Sequence, residues 1–222
     1  MLQACASGGG RVDYGSLPYH DEFWTSDNTD ALQRVYMQYA TNLIYPPVAT
    51  ASHVSASPGH QTGSITPLKF RFDVAMSGRL GLELQPKDIP AEEMAFAREA
   101  IANYKTHIRE LVTKGDLYRL ISPYECTNNH AANMLVRKDK SKAVLFAYCT
   151  GFNRRGIRPT VHLHGLDASK RYRITEINKT GKRKAFWGEG HIYDGAYLRQ
   201  VGIELQIARQ YDSAVFLLEE VK

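Results

Sequence analysis

Apolar residues recur at a helical spacing in the first part of the chain, and this pattern stops near Ser122-Pro123. Side chains three to four positions apart line one helix face, so such runs predict amphipathic helices. Three helices are predicted on this basis, at residues 30–45, 67–77 and 90–114. Proline cannot continue a helix, so Pro46-Pro47 should end the first one. In the third, Pro90 suits the first turn and Gly115 suits the end.

Short apolar or glycine-rich segments separate these helices. They predict strands at residues 23–25, 52–54 and 80–83. Short strands that alternate with helices of this length indicate βα units, and strands joined by such crossovers run parallel. Residues 1–122 are therefore predicted to form an α/β region with a parallel sheet.

After Pro123 the pattern predicts strands without helices. The candidates are residues 133–137, 143–149, 160–166, 171–177, 197–203 and 214–219. Residues 160–166 alternate apolar and polar side chains, as a strand with one buried face does. Six strands separated by turn-forming residues favour a small antiparallel β-sandwich over residues 123–222.

Composition narrows the class of protein. The 222 residues are 43% hydrophobic and 23% charged, which is typical of an ordered globular protein. No apolar run is long enough to span a membrane, and no signal peptide is visible, so the compartment stays open between cytoplasm and export. The net charge of +5 is scattered. Its densest cluster, Lys179–Lys184, is interpreted as a solvated turn rather than a nucleic-acid site, because no aromatic platform accompanies it.

Four polar clusters lie where a predicted strand would meet its following loop. They are 5–11, 24–30, 52–62 and 78–83. In a β/α barrel such loops open on the face that carries the active site. The glycines of the first cluster allow close approach or positive φ, although a tight turn is the default explanation.

Asp27 is the candidate catalytic group of the second cluster. A carboxylic acid against an aromatic wall such as Trp24 has its charged form disfavoured, which suits it to donate a proton. The alternative is a helix N-cap. We assign the cap to Asn28 or Thr29 and place Asp30 in the first turn, which leaves Asp27 to face the pocket.

The motifs from Cys5 to Leu84 carry a resemblance to a known family. In order they run CASGGGRVDYGSL, WTSDNTDA, YP, SHVSASPGHQT, TPL and VAMSGRLGLEL. This series resembles the α-galactosidases of glycoside hydrolase family 36. Residues 90–222 resemble that family only in their order of predicted elements, a last barrel helix followed by a β-sandwich. The resemblance implies the C-terminal half of a (β/α)8 barrel over residues 1–122, followed by the C-terminal sandwich.

The resemblance also assigns residues. The family uses two carboxylates, a nucleophile and an acid/base, as retaining glycosidases do. Its acid/base aspartate corresponds to Asp27, and Cys5 and Gly8 would line the galactose subsite. Its nucleophile lies in a Lys-Trp-Asp motif on an earlier strand, and this sequence contains no such motif. We therefore expect the chain to be a C-terminal fragment that is inactive alone.

The implied substrate is a terminal α-galactoside of the raffinose or melibiose type, with no cofactor, metal, nucleic acid or membrane partner. We expect the complete protein to form a homo-oligomer. Two alternatives stay open, a galactosyl transferase of the same family and a non-catalytic carbohydrate-binding or assembly fragment. Two motifs depart from the family, Gly59 in GHQT and Gln85-Pro86 after Glu83-Leu84.

The remaining polar motif residues have more than one explanation. Arg11 and Asp13 fit either the site or an ion pair that supports the loop. His53, His60 and Gln61 are interpreted as loop-ordering groups. His162 and His164 share a strand face and could bind a metal, but a solvent-facing pair is the favoured interpretation. Three cysteines without a CxxC pair argue against a disulfide framework or structural zinc.

Overall fold

The described residues form a parallel sheet with helices in the first part of the chain, and a large antiparallel sheet with a two-stranded ribbon in the second. The computed structural model describes residues 2–6, 8–125, 129–152, 156–181 and 184–222. Ser7 of the glycine motif, Cys126, and Lys182 and Arg183 of the basic cluster lie outside these ranges. Internal contacts divide the chain into two units, Met1–Arg98 and Glu99–Lys222.

The first unit is an α/β segment. Its elements are β1 (Gln3–Ala4), β2 (Glu22–Trp24), α1 (Ala31–Thr41), β3 (Thr50–Val54), α2 (Leu68–Ala75) and β4 (Arg79–Leu82). The strands follow the order β1-β2-β3-β4, and every neighbouring pair is parallel. The predicted parallel α/β region is therefore confirmed.

The first helix is shorter than its pattern predicts. α1 ends at Thr41 instead of continuing to Tyr45. The side chain of Asn42 donates to the Tyr45 carbonyl at 3.0 Å and to Thr50 Oγ1 at 2.9 Å. These two bonds hold the chain in a turn, so the helix stops well before Pro46-Pro47.

The predicted helix over residues 90–114 is present, with a change of winding inside it. α3 (Ala91–Asn103) continues through a π-helical segment, Tyr104–Ile108, into α4 (Arg109–Lys114). Leu111 and Val112 are buried, and α4 packs against the strand that begins at His130. The amphipathic pattern therefore identified a helix whose apolar face is covered.

The second unit is an antiparallel β-sheet domain. Its elements are β5 (Asp116–Ile121), β6 (His130–Val136), β7 (Lys142–Cys149), β8 (Thr160–Val161), β9 (Arg171–Ile177), β10 (Ile192–Asp194), α5 (Gly195–Gln200), β11 (Ile203–Glu204) and β12 (Ser213–Glu220). In the described residues they make a six-stranded sheet of order β10-β9-β12-β7-β6-β5 and a two-stranded ribbon of β11 and β8. The predicted boundary after residue 122 stays a prediction. β5, which precedes residue 122, pairs with β6 of the antiparallel sheet.

One apolar core joins the large sheet to the ribbon. Met134, Leu145 and Phe216 from the sheet share it with Val161 and Ile203 from the ribbon, and each of the five is at most 2% exposed. β7 is buried over seven consecutive residues, 143–149, so both of its faces are covered.

Two strand predictions in this unit are wrong. Residues 197–203 form the end of α5 and the start of β11 instead of one strand. Val201 is 52% exposed although Ile203 is only 2% exposed, whereas a strand would place these two side chains on one face. Val201 N donates to the Tyr197 carbonyl at 2.8 Å, which is the bond of a helical turn. Residues 160–166 pair only at Thr160 and Val161, and the chain then turns through a bond from Leu166 N to the Leu163 carbonyl at 3.2 Å.

Candidate active site

Four loops leave the same edge of the parallel sheet. They follow Ala4 of β1, Trp24 of β2, Val54 of β3 and Leu82 of β4. In a parallel sheet all carboxyl ends lie on one side, and ligand sites form there. The predicted site residues therefore share one edge, and the contacts between the loops determine which of them meet.

Gly8 lies directly against Asp27. A Cβ placed on Gly8 would be 3.0 Å from Asp27 Oδ2 and 2.9 Å from the Asp27 backbone nitrogen. Gly8 also has a φ of +57°, which side chains other than hydrogen rarely allow. The structure thus brings two of the three predicted site residues together, and it does so through the absence of a side chain on Gly8.

Trp24 meets Asp27 through its polar edge. The indole Nε1 donates to Asp27 Oδ1 at 3.2 Å, while the indole ring itself is buried. Asp27 is exposed. The expected aromatic neighbour is therefore present, but its contact with the carboxylate is a hydrogen bond that orients it rather than an apolar wall.

Arg34 holds the loop that carries Asp27. This α1 residue is only 3% exposed, and its guanidinium donates to the Ser26 carbonyl at 2.7 Å, to the Asn28 carbonyl at 2.9 Å and to Thr25 Oγ1. Its Cζ lies 4.6 Å from the centre of the Trp24 ring. Burial lowers the pKa of Arg34 to about 10, and the charges of Glu83 and Asp27 oppose this shift. Arg34 therefore remains a cation at neutral pH.

His53 packs against Trp24 beneath the loop that carries Asp27. Its ring centroid is 4.6 Å from that of Trp24, and Gly81 on the neighbouring strand leaves room for the imidazole, since a Cβ there would lie 2.4 Å from His53 Cδ2. Burial and the charge of Arg34 lower the pKa of His53 below its ordinary value. His53 is therefore neutral at pH 7 and supports Trp24.

Asp30 is the N-cap of α1, which corrects the assignment of the cap to Asn28 or Thr29. Asp30 Oδ1 accepts from the Gln33 backbone nitrogen at 3.0 Å. Its other oxygen, Oδ2, accepts from Thr62 Oγ1 at 2.9 Å and from Ser64 Oγ. Asp30 is held at the N-cap position because the loop after β3 supplies donors to its second oxygen. The carboxylate therefore links the loops after β2 and β3.

The other predicted site residues lie on the surface of this edge. Cys5 is exposed and follows β1 directly. His60 and Gln61 are also exposed, so it is Thr62 and Ser64 that order their loop. Asp13 accepts from the Ser16 backbone nitrogen at 2.8 Å. Within the described ranges no ion pair joins it to Arg11, so that explanation of the two residues is wrong.

The histidine pair of the second unit has the solvent-facing arrangement. His162 and His164 are exposed, and their rings stack with centroids 5.8 Å apart. Across the described part of the chain, no group of three or more His, Cys, Asp or Glu side chains is placed to hold a metal ion. No described helix is both long enough and apolar enough to cross a membrane.

Arg34 is the functional residue that sequence reasoning missed. It occupies the buried face of α1 together with Val35 and Gln38. The apolar residues at helical spacing in this segment, 32, 35, 36, 39 and 43, centre on nearly the opposite side of the helix. The pattern therefore places Arg34 on the polar face, and the burial of Arg34 could not be predicted from it.

Known proteins match this arrangement along both units. Residues 1–115 match the Melibiase family, and residues 130–218 match the glycosyl hydrolase family 36 C-terminal domain. Alpha-galactosidase 2 of Hypocrea jecorina is 40% identical over 219 residues, which cover 98% of this chain and 27% of that protein.

Solved structures agree with the sequence match. A variant of GH36 alpha-galactosidase AgaA from Geobacillus stearothermophilus in complex with stachyose superposes with a TM-score of 0.88 at 37% identity, covering 100% of this chain and 29% of that one. Another AgaA variant, in complex with raffinose, gives 0.87 at 37% identity, covering 99% and 28%. The chain thus spans little more than a quarter of the length of these relatives. The two family matches and the identity to known relatives show that the chain belongs to the glycoside hydrolase family 36 α-galactosidases.

Proposed function

We propose that this chain supplies the acid/base half of a retaining α-galactosidase site. The observation that carries the proposal is the placement of Asp27. Its carboxylate is exposed at the carboxyl edge of a parallel sheet, oriented by the Trp24 indole and pressed against Gly8. An exposed carboxylate held in one orientation at such an edge is suited to proton transfer with a bound substrate.

Asp27 acts twice in the proposed reaction. In the first step a second carboxylate attacks the anomeric carbon, and protonated Asp27 gives its proton to the glycosidic oxygen as the carbon–oxygen bond breaks. In the second step the Asp27 carboxylate takes a proton from water, the water oxygen bonds to the anomeric carbon, and the bond between that carbon and the second carboxylate breaks. The product keeps the α configuration, because each step inverts it once.

Cys5 and Gly8 bind the galactose ring in this proposal. Cys5 follows β1 and is exposed on the same edge as Asp27, which supports a contact between its side chain and the sugar. Gly8 has no side chain, so its backbone can approach the sugar beside the acid/base. The substrate class is a terminal α-galactoside, and relatives solved with raffinose and stachyose support this choice.

The proposed architecture is half of a catalytic barrel, residues 1–122, followed by a C-terminal β-sandwich, residues 123–222. The Melibiase and C-terminal domain matches support this division. A complete barrel has eight strands, and this sheet has four in the described residues. The second carboxylate, about 5–5.5 Å from Asp27 in a retaining site, would come from the other half. We therefore expect the 222-residue chain alone to turn over no galactoside.

The test uses the native protein that carries this sequence in its source cells, isolated with an antibody against residues 130–218. Asp27→Asn should nearly abolish hydrolysis of raffinose, whose sugar leaving group needs a proton. It should spare para-nitrophenyl α-galactoside more, because that leaving group needs little protonation. Added azide should then yield α-galactosyl azide, since the small anion attacks the covalent intermediate without base assistance.

Asp88→Asn is the matched control, because Asp88 is an exposed carboxylate in the turn after β4. It should behave as wild type with both substrates. Equal losses on both substrates in Asp27→Asn, without azide product, would refute the assignment. Wild-type activity in that variant would refute it as well.

A further inference from the structure

The Arg34 guanidinium bonds to the two residues on either side of Asp27. It reaches the Ser26 carbonyl at 2.7 Å and the Asn28 carbonyl at 2.9 Å. Both acceptors are backbone atoms, so their bonds fix the path of the main chain through Asp27 whatever the side chain of Asp27 does. The planar guanidinium offers several donors in a fixed fork, which a lysine cannot reproduce.

The same guanidinium also fixes the group that orients the Asp27 carboxylate. Its Cζ lies 4.6 Å above the Trp24 ring, and the Trp24 Nε1 donates to Asp27 Oδ1 at 3.2 Å. Cations over a tryptophan face are attracted by the ring quadrupole. Arg34 therefore acts on Asp27 by two routes, through the backbone on both sides and through the indole.

We propose that Arg34 is the positioning residue of the acid/base Asp27 and that the efficiency of proton donation depends on it. This inference rests on the proposed function of Asp27. Arg34 is 3% exposed and lies behind the loop, so it does not touch the substrate in this role. Arg34 holds the carboxylate of Asp27 within hydrogen-bond reach of the position that the glycosidic oxygen will take.

The role predicts a pattern that general destabilisation would not give. A misplaced acid impairs the step that needs its proton and leaves other binding contacts in place. Loss of Arg34 should therefore lower kcat for raffinose while KM changes little. Displacement of a catalytic group by about 1 Å can cost about 100-fold in rate. An activated aryl galactoside needs little protonation and should lose much less.

Arg71 provides a matched control. It lies on the next helix, α2, and its Nη1 donates to the Ser55 carbonyl in the following loop at 2.6 Å. Arg34→Met and Arg71→Met thus each remove an arginine that holds a loop carbonyl at the same sheet edge, and only the first removes a bond beside Asp27. Thermal unfolding of both variants measures their structural cost.

The experiment measures kcat and KM of the native protein with raffinose and with para-nitrophenyl α-galactoside. For Arg34→Met we expect kcat on raffinose to fall about 100-fold and kcat on the aryl substrate to fall several times less, with partial azide stimulation. Arg34→Lys should recover only part of the loss. Arg71→Met should lower both kcat values by the same factor.

Equal loss on both substrates in Arg34→Met, or the same substrate dependence in Arg71→Met, would overturn the inference. The result for Asp27→Asn separates this from failure of the proposed function. If Asp27→Asn shows its leaving-group dependence and Arg34→Met does not, only the role of Arg34 is wrong. If Asp27→Asn shows none, the acid/base assignment is wrong, and the role of Arg34 falls with it.

Discussion

Replacement of Gly8 by alanine tests how closely the two loops of the site must approach. The new methyl group would lie 3.0 Å from Asp27 Cγ and Oδ2 and 2.9 Å from the Asp27 backbone nitrogen. Contacts this short require Asp27 to shift by a few tenths of an ångström. The backbone nitrogen cannot rotate away, so the displacement passes to the carboxylate.

Two costs follow from this geometry. Alanine at a φ of +57° is strained by about 1–2 kcal/mol, which should appear as lower stability. Displacement of Asp27, the proposed acid/base, adds a catalytic cost. Since a misplacement of about 1 Å costs about 100-fold, a few tenths of an ångström should lower kcat/KM on raffinose by about 10-fold, or about 1.4 kcal/mol.

The assay compares Gly8→Ala with Gly190→Ala in the native protein. Gly190 also has a positive φ, +86°, and none of the described heavy atoms beyond its chain neighbours lies within 4 Å of the position that a Cβ would take. Both variants should lose stability in urea unfolding, but only Gly8→Ala should lose activity beyond its unfolded fraction. Wild-type kcat/KM in Gly8→Ala would show that the loops do not meet as described.

Three further predictions test the supports of the site and the corrected element. Burial alone would raise the pKa of Asp30, but hydrogen bonds from Ser64, Gln33 and Thr62 lower it. The carboxylate therefore contributes its full stability above about pH 4 and loses it as pH falls through the lowered pKa. The difference in unfolding free energy between wild type and Asp30→Asn, measured in urea, should shrink as pH falls below about 4, and a constant difference would contradict this. The NMR titration midpoint of His53 should lie below its ordinary value, because burial and Arg34 disfavour the imidazolium, and Arg34→Met should raise it; an unchanged midpoint would count against the electrostatic contact. Leu198→Ala should lower the unfolding free energy by about 2–5 kcal/mol, and Val201→Ala should change it by less than about 0.5 kcal/mol. A strand over 197–203 would place Val201 on the same face as the buried Ile203, so a cost above about 1 kcal/mol for Val201→Ala would contradict the helix.

Features with a local cause could be predicted from the sequence. The helix over residues 90–114 combines a periodic apolar face, Pro90 at its start and Gly115 at its end, and the structure has it at those bounds within a residue. The parallel strands follow from their alternation with helices. Residues 171–177 were predicted as a strand with the bounds that the structure has, because a charged and apolar alternation there needs only one covered face.

Features fixed by distant partners could not be predicted. Residues 197–203 contain aromatic and β-branched side chains that favour strands, yet α5 forms because Leu198 enters the core of the second unit and its carbonyl accepts from Leu163 N at 2.9 Å. α1 stops early because Asn42 finds Thr50 on another element. Asp30 was placed inside the helix because its partners Thr62 and Ser64 are more than 30 residues away.

The contacts around Asp27 explain why one part of the site can be assembled by this chain. Gly8, Trp24, Asp27 and Arg34 lie within 27 positions of one another on two neighbouring parallel strands and the helix that follows. Arg34 binds carbonyls only six and eight residues before it. The proposed proton donation requires that the acid be held before the substrate arrives, and among the described residues these short-range contacts hold Asp27. The covalent step of the proposed reaction, in contrast, requires a second carboxylate on the opposite side of the sugar, which contacts within one βα unit cannot supply. We therefore expect this chain to orient Asp27 by itself and to catalyse hydrolysis only when the second carboxylate is present.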